Sequence, residues 1–281
     1  NPLESIYEDM MKEAITKIAF IPRKDDSSKK ILASSAFMDR MGVSDAISST
    51  ALVGHINRIY DHSFNVTDQI ATVWKGSRIL ANYGVFIFDK RKINGLFDDV
   101  EVFANLTTDL DIKLVDYLYE YYQQNMSEQD ELVGILKKTK FLLDETLQLC
   151  TPDELFYPSS YKQENALAEG AHIMHGDIYN AFNTKKNLIA WLSSLGVETL
   201  SDITFVENVV CRDGYITSEN ALEVGRFLFN IYQKEDLFGK VSSYKLKYLH
   251  FLTKKGNLRF IKNLYLSAEY KPELNLESTL D

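Results

Sequence analysis

Residues 136–160 read LKKTKFLLDETLQLCTPDELFYPSS. A lysine-rich helix end passes into Phe141-Leu142-Leu143, then a turn cluster at Asp144-Glu145-Thr146, then Leu147-Gln148-Leu149. Short apolar runs parted by turn-forming residues are the mark of a β-hairpin. Upstream, Val115, Tyr117, Leu118 and Tyr121 fall at helical spacing, and an acidic linker leads from them to Ile135 and Leu136. The same order recurs later. Val224, Phe227, Leu228 and Ile231 lead to Leu246, Leu249 and Phe251-Leu252, and the turn at Lys254-Lys255-Gly256-Asn257 leads to Leu258-Arg259-Phe260. The lead-in is 26 residues in one copy and 27 in the other. A third ending stands at Ile15, Ile18 and Phe20-Ile21, followed by a turn at Asp25-Asp26-Ser27-Ser28 and by Ile31-Leu32. The helix that would precede it is missing because the chain starts at Asn1, so the sequence reads as an excised piece of a longer repeating protein.

Beyond each hairpin the chain reaches an aromatic residue, Phe37, Phe156 or Tyr265, with Ser34-Ser35, Thr151-Pro152-Asp153 or Ser267 nearby to cap a helical turn. Two copies continue to a glycine-valine pair, Gly42-Val43 and Gly196-Val197, where glycine is expected to end one helix and Ser44-Asp45 or Ser201-Asp202 to start the next. The residues expected to carry the repeat core are therefore Phe20, Phe37, Gly42, Phe141, Phe156, Gly196, Phe251 and Tyr265. The hairpin phenylalanines lie 121 and 110 residues apart, too far for a small solenoid repeat, so each unit is expected to be a small domain. The expected divisions are 1–125, an N-terminally truncated first unit; 126–243, a second; and 244–281, the start of a third. Residues 4–18 and the stretch Leu52, Ile56, Ile59 and Tyr60 read as helices, and residues 67–124 supply the rest of one unit, with helices around Thr67 to Leu80 and from Leu110 to Gln123. Its strands read as Val85 to Phe88 and Val100 to Phe103, with a turn at Asn94-Gly95. The expected fold is α+β: two related subdomains with helices packed on small, mostly antiparallel sheets, and a truncated repeat at each end.

The 281 residues are 45% hydrophobic and 12% aromatic, enough to fill a core. The longest apolar runs, such as Gly84 to Phe88 and Ile203 to Val210, fall well short of the roughly 20 residues a membrane-spanning helix needs. The opening residues Asn1-Pro2-Leu3-Glu4-Ser5 do not form a secretory signal. Two cysteines, Cys150 and Cys211, make no disulfide framework and read as buried fillers. Cytoplasm is the expected compartment. A net charge of −9 argues against a large nucleic-acid surface. Two basic patches remain, Lys90-Arg91-Lys92 and the set Lys245, Lys247, Lys254, Lys255 and Arg259, and both read as turn and strand-edge charges.

The sequence contains no phosphate loop, dinucleotide fingerprint, nucleophile elbow or H-E-x-x-H zinc motif. His172, His175 and Asp177 are the best metal candidates, because histidines at i and i+3 on a helix share a face. They lack a further paired ligand. His55 and His62 flank Arg58 and Asp61 in a nuclease-like grouping, but the helical pattern Leu52, Ile56, Ile59 and Tyr60 places their polar side outward. The acidic groups Asp98-Asp99-Glu101 and Asp109-Asp111 lack the order of a calcium loop and read as loops and helix caps. Tyr117, Tyr119, Tyr121 and Tyr122 sit in a helical setting, where they pack in the core and at its rim.

The stretches 135–160 (with LKKTKFLLDETLQLCTPDELFYPSS inside it), 188–210 (with WLSSLGVETLSDITFVENVV inside it) and 244–277 (with LHFLTKKGNLRFIKNLYLSAEYKPELNLE inside it) resemble the repeated region of sacsin-like proteins. In those very large chains a GHKL-type ATPase domain precedes repeating α/β segments. The resemblance implies a downstream segment without a nucleotide site, since the Asn-bearing helix, Asp-x-Gly and glycine-rich lid of that ATPase are absent here. No cofactor is then expected in this segment, with ATP and magnesium belonging to the parent protein. The expected function is a non-catalytic scaffold or partner-binding segment of a larger bacterial ATPase-linked protein, chaperone-like or defence-associated. Its partners are expected to be proteins or neighbouring domains of the same chain, met at sheet edges and grooves. Two alternatives are an enzyme of unfamiliar type with its site in the polar insert 157–187, and a nucleic-acid-binding module using the basic hairpin 245–259.

Overall fold

The computed structural model describes residues 2–66, 79–125, 129–234 and 237–264. The fold is α+β, with several small sheets of two or three strands among the helices. The chain forms two compact units, Asn1–Leu155 with Met174–Gly196, and Phe156–Ile173 with Val197–Asp281. These cut across the divisions at 125 and 243 expected from the sequence. The middle hairpin, for example, stays with the first unit, because the Leu143 carbonyl accepts from His175 N (3.1 Å) and Asp144 bridges Met174.

The first unit opens with helix α1, Pro2–Thr16, which leads to strands β1, Ile21–Pro22, and β2, Lys30–Ile31. They pair antiparallel, Ile21 against Ile31. A 3-10 turn at Ala33–Ser35 sets the chain into β3, Ala36–Asp39, whose Phe37 is fully buried. Asp39 closes the next turn by accepting from the backbone N–H groups of Met41 and Ser44. Gly42, at φ 69°, follows this strand and not a helix, and Ser48, not Ser44 or Asp45, caps α2, Ser49–Tyr60. β3 is the centre of a parallel three-stranded sheet between β4, Phe64–Asn65, and β5, Phe86–Phe88. Ile21, Ala33, Ala36, Met38, Val66, Leu80 and Val85 pack together around it. Most of the helix expected over Thr67 to Leu80 lies outside the described residues; Ile79–Asn82 is helical.

The strand expected at Val100 to Phe103 is instead a 3-10 turn at Val100–Val102, and the expected turn at Asn94-Gly95 lies inside a short helix, Ile93–Phe97. Ile93, Leu96 and Phe97, at helical spacing, bury together, and the Asp99 carboxylate accepts from Glu101 N to start the turn. The unit continues with α3, Thr108–Gln124, capped by the Thr107 hydroxyl, and α4, Gln129–Leu136. Strands β6, Leu142–Leu143, and β7, Leu149–Cys150, form the second antiparallel hairpin. The returning strand begins at Leu149 and not Leu147, which stands in the turn at φ 64°. Helices α5, Gly176–Phe182, and α6, Lys186–Leu195, complete the unit. Gly196 ends α6 at φ 129°, and a Cβ there would lie 3.2 Å from the Asp153 backbone, so both conformation and space require glycine.

The second unit is built on β8, Leu155–Tyr157, which follows a Thr151/Glu154-capped 3-10 turn at Pro152–Glu154. β8 is flanked by β9, His172–Ile173, and β10, Glu198–Thr199; the β8 and β10 strands run parallel. Ser201 and Thr204 cap one another's turn at Asp202–Phe205, and a π-helical stretch Val206–Val210 follows. α7, Ala221–Lys234, buries Val224, Leu228 and Ile231 into a core with Phe156, Phe205 and Val206. The third antiparallel hairpin is β11, His250–Leu252, with β12, Leu258–Phe260, followed by a 3-10 turn at Ile261–Asn263. Tyr265 and Ser267 lie outside the described residues. No helix among the described residues is long and apolar enough to cross a membrane.

Candidate functional site

α1 carries apolar residues at helical spacing, Ile6, Met10, Met11 and Ile15, so the sequence writes a face meant for burial. That face is exposed. Ile6, Tyr7, Met10 and Met11 are all more than half exposed, Met10 by 63%, and Ile18 and Phe20 extend the patch onto the first hairpin. The other two hairpins differ at the matching phenylalanine. α3 lies against β6 and Phe141 is fully buried; α7 lies against β11 and Phe251 packs on the second unit's core; Phe20 is 38% exposed. Glu8, Asp9 and Glu13 flank the exposed patch with Lys12 among them, and Glu13 pairs with Lys17 at 2.7 Å. The result is an apolar stripe with an acidic border.

The nuclease-like grouping is resolved by two corrections. His55 does not face outward; its ring is 2% exposed, and Nδ1 is 2.8 Å from Asp99 Oδ2. Arg58 joins the same carboxylate and reaches Glu101 at 2.9 Å. Burial alone would raise the Asp99 pKa, but hydrogen bonds from His55, Arg58 and Glu101 N outweigh it and hold the carboxyl below its ordinary range. The arrangement superficially matches a catalytic Asp-His pair. Yet His55 lies edge-on to Tyr60 and Phe88, with its Nε2 buried and without a partner among the described residues, so its ring is closed to solvent. It clamps the 99–102 turn to α2. His62 instead hydrogen-bonds backbone carbonyls of Tyr60 and Gly84.

Asp111, in the first turns of α3, is fully buried; its Oδ2 accepts from Leu143 N at 2.9 Å, and its Oδ1 has no partner among the described residues. Burial pushes its carboxyl up to about 8, so near neutrality it is largely protonated and joins α3 to β6 as a neutral group. The metal candidates share no helix face. His172 lies in β9, whereas His175 is the N-cap of α5, its Nδ1 accepting from Asp177 N at 3.3 Å. His175 Nδ1 is 3.9 Å from Asp177 Oδ2. Within the insert 157–187 other polar groups hold local structure: Asn165 caps the 3-10 turn Ala166–Gly170, Lys162 donates to the Ala171 carbonyl, and Tyr161 donates to Asp202 at 2.6 Å. The Cys211 thiol is pushed up to about 11 by burial, and with that protonation it is no nucleophile.

A groove of about 660 Å³ runs beside α4, with Phe97, Phe103 and Ile135 on its walls and Asp98, Asp130 and Lys138 at its edge. The four tyrosines lie on α3 as expected: Tyr121 is buried, Tyr117 donates to the Met41 carbonyl, and Tyr119 and Tyr122 pack on Trp191. Arg91 and Lys92 pair with Asp89, which accounts for two charges of the first basic patch. The second contrasts with the whole chain: residues 237–264 hold seven lysine and arginine residues and no acidic one. Compared with family models, curated proteins and solved structures, the chain matches none.

Proposed function

We propose that this chain is a non-catalytic, partner-binding scaffold segment whose docking surface is the apolar side of α1 continued by Phe20. The observation that carries the reading is the exposed patch itself: Ile6, Tyr7, Met10, Met11 and Ile18 are all more than half exposed. Contiguous exposed apolar residues rimmed by charge are the usual dress of a protein-binding site. The occupant fitting it is an amphipathic helix laid along α1, the helix-in-groove mode. Two features support the wider setting of a repeating protein: each hairpin is followed by a 3-10 turn, and the resemblance to sacsin-like segments takes in two of the three hairpins. In that setting ATP chemistry belongs to the parent protein and this segment supplies surface. The buried His55, the protonated Cys211 and the capping roles of Asn165 and His175 favour surface over chemistry.

The test uses a labelled peptide of residues 221–234, the α7 sequence, as the model amphipathic helix. Saturable binding that disappears in Met10→Glu, with the variant melting at the wild-type temperature, supports the reading. If Met10→Glu lowers the melting temperature at a dilution where the wild-type chain does not self-associate, α1 is packed within the folded chain and the reading is wrong.

A further inference from the structure

The two described ends of the chain carry opposite charge. On α1, Glu8, Asp9 and Glu13 surround the exposed Ile6, Tyr7, Met10 and Met11, with Lys12 among them and Lys17 paired to Glu13, so the border stays acidic only by a small excess. Residues 237–264 have a net charge of +7 against −9 for the whole chain, leaving −16 for the remainder. Within this segment Lys247, Lys254, Lys255, Arg259 and Lys262 are exposed. Lys245, by contrast, is partly buried, donating to Asn208 and standing 3.5 Å from Glu207.

Apolar groups accompany these charges. Tyr244 is 64% exposed and stacks edge-on with Tyr248, and Leu252 and Ile261 are also exposed. On α7, Leu222, Phe229 and Tyr232 point away from the core that Val224, Leu228 and Ile231 fill. Thus the chain owns an acidic-bordered apolar helix at one end and a basic-bordered aromatic surface at the other. Complementary potentials steer encounter and fix register, while the apolar contacts supply the affinity.

We infer that the occupant of the α1 face is a second copy of this chain, docking head to tail through its basic 237–264 segment and the outer face of its α7. This rests on the docking reading of α1 and names its partner. The contact is heterologous, since different surfaces meet, so each added copy leaves one free head and one free tail. Such association closes into a ring or continues as an open array. Its strength falls with salt, because the charged borders are solvent-exposed and screened within about 8–10 Å at ordinary ionic strength.

Sedimentation velocity of the full chain over about a hundredfold concentration range, in about 0.05 M and about 0.5 M salt, tests this. The expected result is a sedimentation coefficient that rises with concentration and falls with salt. Met10→Glu, which removes the head, and the double substitution Lys254→Glu with Lys255→Glu, which weakens the tail, should each abolish assembly alone. Mixed, they should form a dimer and stop, through the one surviving head and tail. A single species at every concentration overturns the inference; unchanged melting of Met10→Glu would then leave the α1 docking reading intact, and lowered melting would remove both. Assembly that the lysine substitutions do not touch overturns it in favour of α1 pairing with α1. Binding of a single-stranded oligonucleotide to 237–264 without any self-association overturns it in favour of nucleic acid.

Discussion

Leu147 occupies the left-handed region at φ 64° while 58% exposed, so its side chain bears a conformational cost and contributes little burial in return. Leu147→Gly is expected to stabilise the chain by roughly 0.5–1 kcal/mol, read as a higher denaturant midpoint at unchanged slope. Asp111 makes a prediction about pH. Its folded pKa, about 8, lies above the unfolded value of 3.8, so the folded state holds an extra proton between those limits. Its contribution to stability is therefore full below about pH 4 and lost as pH rises through about 8, with a limiting slope of about 1.4 kcal/mol per pH unit. Asp111→Asn cannot titrate. The stability difference between variant and wild type should shift in the variant's favour from pH 5 to about pH 8; a difference that stays flat would mean that Asp111 titrates normally. None of this was legible in the sequence, where Asp111 reads as one of two acids at a helix start. Its burial is decided by Leu143, 32 residues away.

At the scale of elements, the three hairpins were legible because each is local: a short apolar run, a turn cluster and a second run. α2 and α3 were legible through their helical spacing, but their caps were not: Ser44-Asp45 was expected where Ser48 caps α2, and Thr107 drew no attention. β5 was legible as the apolar run Val85 to Phe88, but its parallel pairing with β3, and that of the two-residue β4, was not, since partners from separate parts of the chain leave no local signal. Val100 and Val102 mimic a strand by alternation, but Asp99 caps a turn there and Val100 is left 77% exposed. The sequence drew attention to His55 and to Asp99 separately; their meeting across 44 residues has no local signal. Asp99→Ala should cost about 1–3 kcal/mol, because it leaves the buried His55 Nδ1 without its partner. Amide exchange should rise in the 99–102 turn first. A loss confined to a few tenths of a kcal/mol would show that the clamp is not holding the turn to α2.

For the whole molecule, the division into units was not legible, because the chain passes between them at 155–156, 173–174 and 196–197, and long-range contacts set those crossings. The composition did show a folded chain, and its net acidity hid a basic segment that appears only when 237–264 is counted apart. The central claim is that α1 is a surface awaiting a partner. A helix of 15 residues is marginal in water without tertiary support, so its backbone hydrogen bonds should open readily until the apolar face is covered. Amide hydrogen exchange of residues 5–16 measures this directly, with α3 in the same molecule as the internal standard. The account predicts fast exchange in α1 and slow exchange in α3 in dilute protein, with α1 slowing when the 221–234 peptide is added or the protein is concentrated. Exchange in α1 as slow as in α3 at high dilution, unchanged by peptide or concentration, would contradict it.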